Sequence, residues 1–193
     1  MTSWKAAALA AILVCAPLAA CDKPAEHASQ SSTVQIGGPF QLVDMNGRPV
    51  TEKTLLGKPT AIFFGFTYCP EVCPTTMAEM TAWLKALGPE ADKLNVVFVS
   101  VDPERDTPEQ LKLYLSNFDR RIQGFTGTPE NIAKTAKAYR VYYQKVATDG
   151  GGYTLDHSSA TYLFDAQGRF VEPIGYGGPP ERGLGQLRAL LKG

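Results

Sequence analysis

Unbroken apolar runs of strand length alternate with stretches of helical period along most of this chain, and together they set the order of its elements. Ala61-Ile-Phe-Phe-Gly-Phe66 and Asn95-Val-Val-Phe-Val-Ser-Val101 show no polar alternation. Each therefore reads as a strand covered on both faces, the second of them central. Between them Met77, Met80, Leu84 and Leu87 recur at helical intervals. They make one face of a helix that stops at Gly88-Pro89, and core packing accounts for the two methionines. Thr107-Pro108 and Thr128-Pro129 each place a capping hydroxyl before a proline at the first helical position. The first of these helices presents Leu111, Tyr114, Leu115 and Phe118, the second Ile132, Ala136 and Tyr139, with a strand predicted between them at Ile122 to Phe125.

Phe40-Gln-Leu-Val43 and the segment after Met45-Asn46-Gly47 predict a hairpin around an Asn-Gly turn. Beyond Tyr139, residues 140 to 146 read as a strand and Asp149-Gly-Gly-Gly152 as a mobile turn. Ala160 to Phe164 and Arg169 to Ile174 form a strand pair around Ala166-Gln-Gly168, and a closing helix covers Arg182 to Leu191, although Gly183 and Gly185 weaken its start. The class is α/β. Strand, helix, strand, helix, then a strand pair and a last helix give a central mixed sheet flanked by helices. That is a thioredoxin-like order with an added N-terminal β-hairpin.

The first residues follow another logic. Residues 1–20 carry one early charge, Lys5, and an Ala- and Leu-rich stretch that ends Leu18-Ala19-Ala20-Cys21. This reads as a signal peptide, too short and too Ala-rich for a membrane span. The Leu-Ala-Ala-Cys ending resembles the lipobox of bacterial lipoproteins, with Cys21 as the lipidated mature N-terminus and several acyl chains giving a stable anchor. Asp22 beside it resembles an inner-membrane retention signal, which puts the protein on the periplasmic face of the bacterial inner membrane. Residues 21–35 are then a lipidated N-terminus and a polar, flexible tether in which His27 is solvated, and residues 36–193 are the folded domain.

Charge removes one function class. Lys+Arg and Asp+Glu both number 19 in 193 residues, and without a basic run nothing points to nucleic acid. The four cysteines divide between the targeting segment (Cys15, Cys21) and the domain (Cys69, Cys73). A pair at this spacing is too little to staple a small fold.

Cys69 and Cys73 sit where the first buried strand hands over to a helix, in Cys69-Pro-Glu-Val-Cys73. With Cys73 in the first helical turn, the free N–H groups and the positive dipole end would favour its thiolate. The four-residue offset lets the two sulfurs form a disulfide or share one soft metal ion. In an open α/β sheet, ligands bind beyond the carboxyl ends of the parallel strands. The second buried strand delivers Asp102 to Arg105 to that edge, and His157, the domain's only histidine, stands just before the strand expected to pair antiparallel with the first. Two thiolates and one imidazole suit Cu(I) at low coordination number. Zinc would ask for a fourth ligand, water or a carboxylate such as Asp156. An ordinary dithiol oxidoreductase of this fold spaces its cysteines by two residues and places a proline where this chain has His157-Ser158-Ser159.

Thr67-Tyr-Cys-Pro-Glu-Val-Cys-Pro74, Ser100-Val-Asp-Pro-Glu-Arg-Asp-Thr107, Gly124-Phe-Thr-Gly127, Ala138-Tyr-Arg-Val-Tyr-Tyr143 and Asp156-His157 together resemble the Sco/SenC family of thioredoxin-like copper chaperones, over residues 36–191. The resemblance implies copper as Cu(I) or Cu(II), held by Cys69, Cys73 and His157, with Cys69 and Cys73 also able to form a redox disulfide. It implies a partner, the copper A-bearing subunit of cytochrome c oxidase, and names neither a copper donor nor a thiol reductant. Asp102 and Arg105 become candidates for partner docking. Glu71 stands where the family often has Asp. A His157 loop hinged at Gly150 to Gly152 would make the imidazole the first ligand to leave.

Two other activities use the same pair. A thiol-disulfide reductase would keep the oxidase's acceptor cysteines reduced. A peroxidase-like enzyme would need a supported peroxidatic thiolate, which Pro70 and Glu71 do not supply.

Overall fold

The computed structural model describes residues 35–193. The signal peptide, Cys21, His27 and all of the tether but its last residue lie outside the described residues. Among the described residues there are nine strands, β1 (Gln41–Asp44), β2 (Pro49–Thr51), β3 (Thr60–Gly65), β4 (Asn95–Ser100), β5 (Ile122–Thr126), β6 (Tyr143–Ala147), β7 (Tyr153–His157), β8 (Thr161–Phe164) and β9 (Phe170–Ile174). The helices are α1 (Val72–Leu87), α2 (Pro108–Leu115), α3 (Pro129–Ala138) and α4 (Pro180–Leu190). Seven strands form one sheet in the order β2-β1-β5-β4-β3-β8-β9, while β6 and β7 pair only with each other. Among the described residues no helix is long and apolar enough to cross a membrane.

β3 lies between parallel β4 and antiparallel β8, and β4 between parallel β3 and β5. Every residue of β3 is buried, which is why its sequence runs apolar without alternation. Phe63 and Phe98 pack together at 6.0 Å between ring centres, and Phe98 meets Tyr114 of α2. Phe64, one residue on, leaves by the opposite face and meets Tyr139 just after α3. The mixed sheet between helices is the thioredoxin-like arrangement expected, with the β1–β2 hairpin added on the far side of β5.

Both outer hairpins close on one turn used twice. In Asp44-Met-Asn-Gly-Arg48 and Asp165-Ala-Gln-Gly-Arg169 the aspartate carboxylate accepts the N–H of the third and fifth residues and the arginine Nε–H at 2.7 Å. The glycine in each has φ +77°, where a side chain would be strained.

Three expectations shift. The strand expected from residue 140 begins at Tyr143, because Arg140 takes φ +57°. Its N–H reaches Lys137 O and that of Val141 reaches Ala136 O, which closes α3 in a Schellman motif. The closing helix starts earlier, at Pro180. Gly183, which weakened that start in the sequence, is needed there, since a Cβ would run into the ring of Trp83 on α1. Last, Gly150 to Gly152 lie at the tip of the β6–β7 ribbon, with His157 at its base opposite Tyr143. A hinge at the tip cannot free His157, because the whole ladder lies between them.

Candidate metal centre

The centre forms where β3 ends. After Gly65 the chain turns through Phe66 to Glu71 and enters α1, of which Cys73 is the second residue. Cys73 is buried and Cys69 half-buried, and both are free thiols. The N–H of Cys73 points at Sγ of Cys69, 3.4 Å away. The unpaired donors of the helix N-terminus thus serve the other cysteine, not Cys73 itself as the sequence predicts. The Cys73 thiol beside it, outweighing the cost of burial and aided by the His157 ring and that N–H, brings the Cys69 thiol down to about 3. Burial first, then the Cys69 sulfur, pushes the Cys73 thiol far up. The metal-free pair is one thiolate and one thiol, with the negative charge on the more accessible sulfur.

His157 Nε2 lies 3.4 Å from Cys73 Sγ across 84 residues of sequence. Its Nδ1 is 2.8 Å from the carbonyl oxygen of Ser158. A carbonyl only accepts, so Nδ1 carries a proton and Nε2 is the ring nitrogen left to face the sulfurs and to bind a metal ion. The ring stands edge-on to Phe63 and Phe66. Donor atoms of Cys69, Cys73 and His157 all lie within 4.8 Å of one another. Asp156, the fourth ligand considered for zinc, is exposed and adjacent to His157 on β7, and so projects from the other face of the strand. Phe66, Cys69, Pro70, Glu71, Tyr142 and His157 line an open cleft of about 400 Å³ over the site.

Asp102 and Arg105 also reach this edge. Asp102 is only 1% exposed; its carboxylate accepts from Arg105 Nε and, at 2.8 Å, from the Tyr153 hydroxyl. Arg105 adds a bond to Tyr153 O at 2.9 Å and stacks between the rings of Tyr153 and Tyr68.

Asp106 escaped the sequence analysis as a site residue. It is fully buried and accepts from Thr67 N, Thr67 Oγ1 and Ser100 Oγ at 3.0, 2.6 and 2.6 Å, which ties the cysteine turn to the end of β4. Its place at the carboxyl end of a central strand was the available signal, hidden by the capping chemistry of Thr107 next to it.

A family model described as SCO1/SenC matches residues 28–192. Protein SCO2, mitochondrial, of Saccharomyces cerevisiae is 37% identical over 89% of this chain and 58% of its own length. Across the first curated relatives the chain spans about half of the longer protein. The structure of Bradyrhizobium japonicum ScoI with copper bound is 53% identical over 80% of this chain and 99% of that one, with a TM-score of 0.75. BsSco, described as a member of the Sco family of cytochrome c oxidase assembly proteins with a disulfide switch, is 26% identical over 82% of this chain and 95% of its own, with a TM-score of 0.65. On its own residues and on these likenesses, the chain belongs to the SCO1/SenC family.

Proposed function

We propose that this protein is a membrane-tethered metallochaperone that binds copper through Cys69, Cys73 and His157 and delivers it to the dinuclear copper A centre of cytochrome c oxidase. The observation that carries this reading is the meeting of two sulfurs and one imidazole nitrogen within 4.8 Å at the rim of the sheet. Two soft thiolates and a single nitrogen match Cu(I), which accepts low coordination numbers. Cys69 is already a thiolate, and Cys73 loses its proton when the ion enters, so uptake is coupled to release of one proton. A centre under an open cleft, with one ligand half-buried, suits an ion that is cargo and must leave again. The copper-bound relative supports copper as the ion, and the oxidase-assembly family of BsSco supports a role in assembling the oxidase. The Leu18-Ala-Ala-Cys21 ending supports a lipid anchor at Cys21 on the periplasmic face.

Titrating the reduced protein with Cu(I) against a competing chelator tests the site. Wild type should hold one equivalent and His157→Ala should lose it to the competitor while its dithiol still exchanges with disulfides. Unchanged retention in His157→Ala would remove the histidine from the ligand set. Electrophoretic and mass analysis of the membrane-bound protein, with Cys21→Ser released into the periplasm, tests the anchor.

A second reading has its own observation. One accessible thiolate beside one buried thiol is the division of labour of an attacking and a resolving cysteine, so reduction of the acceptor's cysteines is open to the same pair. Cells in which His157→Ala assembles the oxidase and Cys69→Ser does not would favour the reductase over the carrier.

A further inference from the structure

We infer that Arg105 is a positioning residue for His157, acting through Tyr153 and not through a docked partner. His157 is borne on a ribbon that makes no ladder bond to the main sheet, so its place depends on what fastens the ribbon to the body. Tyr153, Leu155 and His157 alternate along β7 and therefore share one face. Leu155, in the middle of that row, is buried. At the base, Ser158 and Tyr142 exchange two hydrogen bonds at 3.0 Å, N–H to carbonyl and N–H to hydroxyl, which prolong the ladder past His157.

The other end is held by Arg105. Its guanidinium lies 3.8 Å from the ring centre of Tyr153 and 4.7 Å from that of Tyr68, the residue before Cys69. It donates through Nη1 to Tyr153 O and through Nε to Asp102, whose other oxygen accepts the Tyr153 hydroxyl. One planar cation thus joins the three segments that make the centre: the cysteine turn, the loop after β4 and the histidine ribbon. Lys145 adds a peripheral tie from β6, to Glu104 at 2.6 Å and over the same tyrosine ring. Asp102 is buried beneath this stack, and its carboxylate is engaged on both oxygens, so the pair is turned inward. Lysine cannot replace arginine here, because a point charge neither stacks flat between two rings nor donates along two directions at once.

The test compares Arg105→Ala, Arg105→Lys and Tyr153→Phe with wild type by two measurements. The first is amide hydrogen exchange of the reduced, metal-free protein. Arg105→Ala and Arg105→Lys should speed exchange over the β6–β7 ladder by about tenfold or more, from the loss of a partly exposed cation–π stack and two hydrogen bonds. Exchange in β3 and β4 should be unchanged, and Tyr153→Phe, which loses only the hydroxyl contact to Asp102, should show a smaller effect in the same place. The second is Cu(I) competition in two backgrounds, against a chelator weak enough that His157→Ala still holds a measurable share of copper on its two sulfurs, and it rests on the copper reading above. Arg105→Ala should weaken retention when His157 is present and have no further effect in His157→Ala, since a residue that acts through the imidazole has nothing left to position. Unchanged protection of the ribbon would overturn the proposal, as would an equal loss of copper in both backgrounds. Failure of wild type to hold copper would sink the carrier reading and leave the exchange result to decide the clasp. Global unfolding of Arg105→Ala would pass the decision to Arg105→Lys and Tyr153→Phe.

Discussion

A methyl carbon on Gly65 would stand 2.7 Å from Sγ of Cys73. The last residue of β3 lacks a side chain because the sulfur occupies that space, with the rings of Phe63 and Phe98 closing it at 2.8 and 3.1 Å. The buried ligand is seated against the strand end itself, so the glycine belongs to the centre although it donates nothing. Gly65→Ala should cost about 1–3 kcal/mol, the usual penalty for overpacking a filled core, read from urea unfolding of the reduced protein. The same variant should retain Cu(I) less well, because relief is available by moving Cys73 off its station. An alanine variant as stable as wild type, with full retention, would show that the sulfur has another place to go.

The split between the two thiols makes a chemical prediction. With the Cys69 thiol brought down to about 3, its thiolate is fully formed across the neutral range. Alkylation by iodoacetamide should therefore fall on Cys69, at a rate nearly flat between about pH 5 and pH 8, where an ordinary thiol gains about tenfold per pH unit. Cys73 is buried, its proton held more tightly than usual, and should stay unmodified until the protein unfolds. Peptide mapping of the alkylated protein over that range decides it. A rate at Cys69 that climbs with pH like that of a free thiol would show that helix N-terminus and neighbours do not hold the charge there.

Asp106 gives a pH dependence with a definite sign. Burial raises its carboxyl above the ordinary value of 3.8, against the three hydrogen bonds that pull it back. The folded protein then holds this proton more tightly than the unfolded chain. The stability this supplies is complete below the unfolded value and is lost as pH rises through the folded one. Asparagine keeps an acceptor for Thr67 N and Ser100 Oγ and can donate to Thr67 Oγ1, without the titration. The stability of Asp106→Asn relative to wild type should rise as pH climbs above about 4 and level off once pH has passed the folded value, measured as urea midpoints at fixed ionic strength. A difference that does not move with pH would mean that the carboxyl ionises normally despite its burial.

What the sequence shows and hides here follows from where each constraint acts. β3 and β4 were legible because a strand buried on both faces must be apolar throughout, and α2 and α3 because Thr-Pro starts are local chemistry. The ligand triad was legible for a topological reason: Cys69, Cys73 and His157 are carried to one sheet edge by elements whose order can be read. The ribbon was legible only by half: its first strand and the turn at Gly150 to Gly152 were read, but β7 was not, since it pairs with β6 alone and only Leu155 in it is buried. Gly65 and Gly183 are governed by atoms far away in sequence, and alone they look like weak points in a strand and a helix. The protonation of the pair was misassigned because a helix N-terminus acts on whatever its N–H groups face, and that is the sulfur of Cys69, in the turn before the helix.

Arg140 supplies a prediction that leaves the centre alone. It is an exposed residue held at φ +57° in the position of a Schellman motif that glycine ordinarily fills, and both bonds of the motif are made. An L side chain there costs about 1–2 kcal/mol through the approach of Cβ to the following carbonyl. Glycine removes that cost and gives part of it back through the greater freedom of the unfolded chain. Arg140→Gly should therefore stabilise the protein by about 0.5–1 kcal/mol. Arg140→Ala, which keeps the Cβ, should change little. Denaturation midpoints of the three proteins separate backbone relief from any effect of the lost charge, because the charge is absent from both variants and the Cβ from only one. Equal midpoints for the glycine and alanine variants would mean that the turn bears no strain at this residue.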